Sequence, residues 1–248
     1  MLYEEPLLYD LAFGWSSELE VDFYERVFRE YAGGVERVLE LGCGTGRLMV
    51  EFARRGFLVD GIDLSPAMAK YAKAKFRRLG LWRAEVFVGD MSKFCTTRRY
   101  DGALCALNTF SHLLTPEQAR SHMLCVAGAL RRGGVYCVDL SPAGSGRPRV
   151  HKWTNEVLGV VAYCKWMREG GKGLVRESYE FLFLWPDGSA RVLNGSMTMR
   201  AWTVDEFLRL VDSVEELELV ACYEGFDRKG PVEPSESLNR LIAVLRRL

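Results

Sequence analysis

The stretch from Val38 to Leu48, reading Val-Leu-Glu-Leu-Gly-Cys-Gly-Thr-Gly-Arg-Leu, restricts the fold of this chain more than any other. Val38 to Leu41 read as the end of a buried strand. Gly42, Cys43, Gly44, Thr45 and Gly46 make a turn whose missing side chains let backbone approach a ligand closely. From Arg47 onward the spacing is helical and the residues are good helix formers. Strand, glycine turn and helix in this order build the nucleotide sites of open α/β sheets, where helix-terminal N–H groups face the ligand.

Glu40, two residues before the first glycine, narrows the ligand. A dinucleotide would set its pyrophosphate against this turn, and a carboxylate there would repel it. A ligand with a ribose diol and a cationic centre, but no phosphate, tolerates the acid. S-adenosylmethionine (SAM) has that chemistry. The segment Val38–Gly46 resembles motif I of the class I SAM-dependent methyltransferases, apolar-apolar-Glu/Asp-x-Gly-x-Gly-x-Gly, at every position.

Beyond the turn, strand-like and helix-like segments alternate to about Pro142. Strands are expected near 36–41, 57–63, 84–89, 100–107 and 134–140, and helices near 46–55, 66–79 and 116–131. Ser65-Pro66 and Thr115-Pro116 read as helix starts. Gly56, Gly80 and Gly133-Gly134 stand where helices should end. Residues 1–34 read as an N-terminal helical cap, with Ser16 and Ser17 before the helix that starts near Glu18. The aromatic arm ahead of it (Tyr3, Tyr9, Phe13, Trp15) either packs on the sheet or closes over the ligands. Residues 143–202 break the rhythm. A loop at Gly144–Pro148 precedes extended runs at about 156–168, 174–185 and 190–202, an antiparallel insertion that roofs the site or is an ordinary two-faced sheet or a dimer interface. A helix capped by Thr203 and strands at 217–226 and 238–248 complete the chain. The expected fold is a single α/β domain, residues 1–248. It is a Rossmann-like, seven-stranded, mostly parallel sheet flanked by helices, with an antiparallel β insertion after the fifth strand.

Three further segments carry chemistry. Asp63 ends the second strand about 20 residues past the turn, where an acid takes a ribose diol. Gly89-Asp90-Met91 follows the third strand, and the resemblance implies that Asp90 accepts from the adenine amino group while Met91 packs on the ring. Tyr9, Leu64, Met68 and Leu107 are placed in the same cofactor site by that resemblance. Asn108-Thr109-Phe110-Ser111-His112-Leu113 follows the fourth strand. It resembles the Asn-Ser-Phe-x-His-Leu pattern of small-molecule N-methyltransferases, which assigns Asn108 to the methionine end or the acceptor and His112 to taking the acceptor's proton or orienting the acceptor. His122 is expected inside a helix and His151 in a loop, neither with a role.

Composition excludes several classes. Lys plus Arg and Asp plus Glu balance at 33 each, so no global basic field draws nucleic acid. No apolar run approaches a membrane span, and the acidic opening lacks the regions of a signal peptide. Seven cysteines without metal-site spacing fit a reducing, cytoplasmic setting, and Cys43 is chiefly a small residue in a tight turn. The resemblance implies methyl transfer from SAM to a small-molecule acceptor, an amine before a hydroxyl; no metal is expected, and a homodimer is left open. A non-catalytic SAM-binding or partner-recognition protein and a nicotinamide oxidoreductase are the alternatives.

Overall fold

A computed structural model describes residues 2–143, 149–226 and 230–248. The expected loop Gly144–Pro148 and the start of the linker 227–237 lie outside the described residues. The main sheet contains β1 (Arg37–Leu41), β2 (Leu58–Asp63), β3 (Ala84–Val88), β4 (Tyr100–Cys105), β5 (Leu130–Leu140), β10 (Leu217–Tyr223) and β11 (Leu241–Arg247). Their spatial order is β10-β11-β5-β4-β1-β2-β3. Only β11 runs against its neighbours. The order reverses between β1 and β4, and the C-terminal ends of strands flanking such a reversal form the binding crevice of this architecture.

Alternation along β1 explains both layers. Leu39 and Leu41 face one core with Phe110, Met123 and Phe207, under α5 (Pro116–Ala129) and α6 (Val204–Asp212). Val38 faces the other, with Phe23, Phe28 and Phe52, under α2 (Glu18–Ala32), α3 (Arg47–Arg54) and α4 (Pro66–Leu79). Glu40 shares the parity of Val38, so its carboxylate enters the α2–α3 side of an otherwise apolar strand.

Local signals set the helix starts. Ser65 accepts from the Met68 amide at 3.2 Å, and Thr115–Gln118 and Thr203–Glu206 form reciprocal capping boxes. Two expectations change. Ser17 precedes α2 without capping it by its side chain; its hydroxyl donates to the Arg47 carbonyl at 3.4 Å. Gly133-Gly134 does not end a helix, because α5 stops at Ala129 and both glycines lie within β5. The pairing jumps there from Tyr100–Leu130 to Gly102–Val135, and Gly133, at φ +75°, accommodates the extra residues.

The insertion is a meander of four strands where three were expected: β6 (Arg149–Val157), β7 (Val160–Glu169), β8 (Gly173–Leu184) and β9 (Ala190–Ala201). The hidden turn is Leu158-Gly159, both at positive φ (52° and 78°). Leucine is an unusual residue for such a turn, so the sequence reads straight through it. His151 consequently sits on β6 rather than in a loop. The N-terminal arm forms α1 (Pro6–Phe13), which buries Leu8, Leu11 and Phe13 against Ala162, Phe181 and Phe183 of the meander. Full burial of such side chains is worth about 2–3 kcal/mol each. The arm therefore packs on the insertion rather than on the main sheet.

Candidate functional site

The turn after β1 is glycine-dependent at three positions. Gly42, Gly44 and Gly46 have φ of +67°, +53° and +74°. A Cβ on Gly42 would lie 2.3 Å from Thr109 Cγ2, and one on Gly46 would lie 2.5 Å from Phe76 Cζ. Thr45 and Cys43 are buried, and the Cys43 side chain packs against Gly61. Tyr9 lies over the turn, its Cε1 3.7 Å from a Cβ built on Gly44.

Three acids stand behind or beside this turn. Asp63 accepts from the Gly44 amide at 2.7 Å and the Ser65 amide at 2.8 Å. Burial raises its pKa, and these two amides oppose the shift. Asp90 is tied at 2.7–2.8 Å to the hydroxyl and amide of Ser92, which outweigh burial and hold its carboxyl below the ordinary range. Glu40 is buried, and burial pushes it up to about 8 against the pull of Arg47. Arg47 itself is engaged by Glu20 at 2.6 and 3.0 Å, so Glu40 receives only part of its charge. Asp60, by contrast, turns to the other side of β2 and joins Arg37, Arg98 and Tyr100.

Next to the turn, Leu107 and Asn108 adopt left-handed backbone (φ 52° and 58°). Asp139 holds the Leu107 amide at 2.8 Å. Asn108 Oδ1 accepts from the Ser111 hydroxyl and the Ser141 amide, both at 2.9 Å, which fixes the loop that carries His112. His112 Nε2 lies 2.9 Å from the Tyr3 hydroxyl. Burial lowers the His112 pKa, and Glu177 opposes it.

These groups share one cavity of about 1440 Å³. Tyr9, Gly42, Gly44, Asp63, Leu64, Gly89, Asp90, Met91, Leu107, Asn108 and His112 line it, whereas Glu40, Cys43, Thr45, Gly46 and Met68 do not. Met68 is fully buried under α4, and Glu40 stands behind the turn. Small-molecule pockets usually span about 300–1,000 Å³, so this space exceeds the needs of one adenosyl ligand. Its far side is formed by Trp153, Trp166, Arg149, His151, Arg168 and Glu177 of the meander and by Tyr3 of the arm. Glu177, Arg168 and Tyr3 gave no motif in the sequence, because strand register and a contact spanning 109 positions bring them here.

Residues 38–134 match the family model described as a methyltransferase domain. Rat (Rattus norvegicus) glycine N-methyltransferase is 30% identical over 118 residues, covering 43% of this chain and 40% of that one. The chain spans less than half the length of the first curated relatives it matches. A SAM-dependent methyltransferase structure from Clostridium acetobutylicum superposes with a TM-score of 0.76 at 19% identity, covering 99% of this chain and 96% of that one. The sugar N-methyltransferase KedS8 from Streptoalloteichus does so at 0.75 and 20%, covering 98% and 92%. Residues 38–134 thus match a methyltransferase domain, and the chain as a whole shares the fold of SAM-dependent methyltransferases.

Proposed function

We propose that this protein binds SAM along the ends of β1, β2 and β3 and transfers its methyl group to a small-molecule amine held under the meander. The observation that carries this reading is the cavity, whose one wall presents the glycine turn, Asp63 and Asp90 and whose adjoining wall presents Asn108 and His112. The donor set fits an adenosyl group without phosphates: the Asp63 and Asp90 carboxylates flank the turn, while Glu40 behind it, pushed up to about 8 by burial, keeps its proton at neutral pH. That arrangement would repel the pyrophosphate of a nicotinamide dinucleotide.

When bound, SAM supplies a sulfonium leaving group, so the transfer is an in-line displacement. The protein's share is alignment, exclusion of water and removal of a proton. Asp63 offers its free lone pairs to the ribose diol, and Asp90 to the adenine edge. Tyr9 covers the turn, and α1 with the meander closes the cavity from the sheet's opposite side. His112, kept neutral by burial, accepts the acceptor's proton, and the Tyr3 hydroxyl, by holding Nε2, orients the ring.

Calorimetric titration with SAM and S-adenosylhomocysteine (SAH) tests the reading. Low-micromolar binding of either is expected, with no fluorescence response to NADH. Absence of SAH binding at high micromolar concentration would sink it, and binding without transfer to any amine in a broad panel would favour a non-catalytic SAM-binding protein.

A further inference from the structure

Two guanidinium groups converge where β5 ends. Arg168 on β7 donates from Nη1 to the Ser141 carbonyl oxygen at 3.0 Å, and Arg149 on β6 donates to the Ser141 hydroxyl at 3.4 Å. Among the described residues a single carboxylate attends them. Glu177 takes Arg168 Nε at 2.6 Å through one oxygen and the Trp166 indole N–H through the other. Both of its oxygens are thus used by β7, and Arg149 has no carboxylate within ion-pair distance among the described residues. The Arg168 and Glu177 side chains are only 7% and 4% exposed, so they neutralise each other in place. The charge left over belongs to Arg149.

That leftover charge is costly where it stands. Burial and the neighbouring Arg168 both push the Arg149 pKa down. An arginine free to swing into water would escape that cost, yet Arg149 lines the cavity, as do Ser141 and Arg168. Lys152, on the same strand, lines it too. The opposite wall carries Asp63 and Asp90, so the cavity is acidic at its nucleoside end and basic under the meander. Ser141 also touches the other half of the site, its amide donating to Asn108 Oδ1 at 2.9 Å.

We propose that the methyl acceptor carries an oxyanion, a carboxylate or a phosphate, seated between Arg149 and Arg168 at Ser141, with its nitrogen directed toward His112. This rests on the methyl-transfer reading above and deepens it by naming the acceptor's class. A planar guanidinium presents paired N–H donors that match either oxyanion, and such charge-assisted pairs are the strong ones. Arg149 is then the residue that sets specificity, because Arg168 is already committed to Glu177.

The test uses the full chain saturated with SAH, titrated calorimetrically with inorganic pyrophosphate and, separately, with succinate at fixed ionic strength. At least one probe should bind, and which one binds identifies phosphate or carboxylate as the preferred group. Arg149→Ala should weaken that binding at least tenfold and Arg149→Lys should restore part of it, with SAH affinity unchanged in both. Unchanged SAH affinity shows that the variants fold. Arg168→Ala is the poorer probe, since it strands Glu177 in the interior. Failure of both anions to bind the SAH-loaded protein, or equal binding to Arg149→Ala, overturns the proposal while methyl transfer stands. Failure of SAH itself to bind removes the methyl-transfer reading and this proposal with it.

Discussion

The Tyr3 hydroxyl and His112 Nε2 lie 2.9 Å apart across 109 positions of sequence. The arm is anchored for this contact, since the Ser65 hydroxyl donates to the Tyr3 carbonyl at 2.8 Å. Burial raises the tyrosine pKa and lowers that of the imidazole, so at neutral pH the phenol keeps its proton and the imidazole is free to accept one. His112→Ala is expected to lower kcat by about 10²–10³ with SAH affinity within about twofold of the natural chain. Tyr3→Phe should cost about tenfold in kcat, as expected for one orienting hydrogen bond. The acid limb of the kcat–pH profile should fall below the ordinary histidine value of about 6.5. Steady-state kinetics beside calorimetry decide the matter, and equal losses in rate and SAH affinity would make both residues structural.

Asp63 holds two backbone amides while lining the cavity, so its removal disturbs both turn and ligand. Asp63→Ala should weaken SAH binding more than tenfold, about 1.4 kcal/mol or above. Asp63→Asn keeps an acceptor for one amide and should fall between. If Asp63→Ala binds SAH normally, the ribose assignment is wrong.

Much of this was legible in the chain because it is local. The acid, glycines and helix of motif I lie within eleven residues, and the caps at Ser65, Thr115 and Thr203 each need only four. What escaped depends on contacts between distant segments. The Leu158-Gly159 turn carries no turn residue at its first position, so one strand was hidden. Pairing Arg168 with Glu177 needs the register of β7 on β8, which periodicity does not specify. Tyr3 meets His112 because α1 docks on the meander and Ser65 holds the Tyr3 carbonyl. Met68 illustrates the limit of resemblance: motif order puts it near the ligand, but helical phase turns it into the core.

Glu40 makes stability depend on pH. Its folded-state pKa is raised to about 8 by burial, from an ordinary value of 4.5, so the folded protein keeps a proton that the unfolded chain releases earlier. The associated stability is complete below about pH 4.5, declines as pH rises, and is gone above about 8. Glu40→Gln carries no ionisable proton and keeps an acceptor for the Met49 amide. Its stability relative to the natural chain should rise by on the order of 2–4 kcal/mol between pH 5 and 8.5. Urea midpoints at the two pH values measure this, and parallel midpoints for both proteins would refute it.

Asp10 fastens α1 to the glycine turn. One oxygen takes the Thr45 hydroxyl at 2.7 Å and Lys75 Nζ at 2.5 Å, and the other takes the Tyr71 hydroxyl at 3.2 Å. The Lys75 and Asp10 side chains are only 11% and 21% exposed, so screening by solvent is limited. Asp10→Ala should cost about 2 kcal/mol and speed chymotrypsin cleavage at Tyr9 and Phe13 several-fold. Saturating SAH should slow cleavage of the natural chain more than that of the variant. Cleavage at the same rate in both proteins would mean that the apolar packing of α1 alone holds the arm.

His122 supports the Asp90–Met91 side of the cavity from below. Its ring lies 2.9 Å from the Met91 carbonyl at Nδ1 and 2.5 Å from the Tyr136 hydroxyl at Nε2. A carbonyl only accepts, so Nδ1 carries the proton and Nε2 receives that of the tyrosine. Burial lowers the pKa to about 4, against the opposing Met91 carbonyl and Asp90. A base depressed in this way stabilises the fold fully above the unfolded value of about 6.5, and that stability drains away as pH falls toward 4. His122→Asn can still donate toward Met91, whereas His122→Phe removes both the donor to the Met91 carbonyl and the acceptor for the Tyr136 hydroxyl. The Phe variant should lose about 2–3 kcal/mol at pH 7.5 and show a flatter acid limb than the natural chain. Because Met91 lines the cavity, it should also bind SAH several-fold more weakly, with Asn recovering most of that affinity. Recovery of stability without recovery of SAH binding would separate His122 from the Met91 side of the cavity and leave it a core residue.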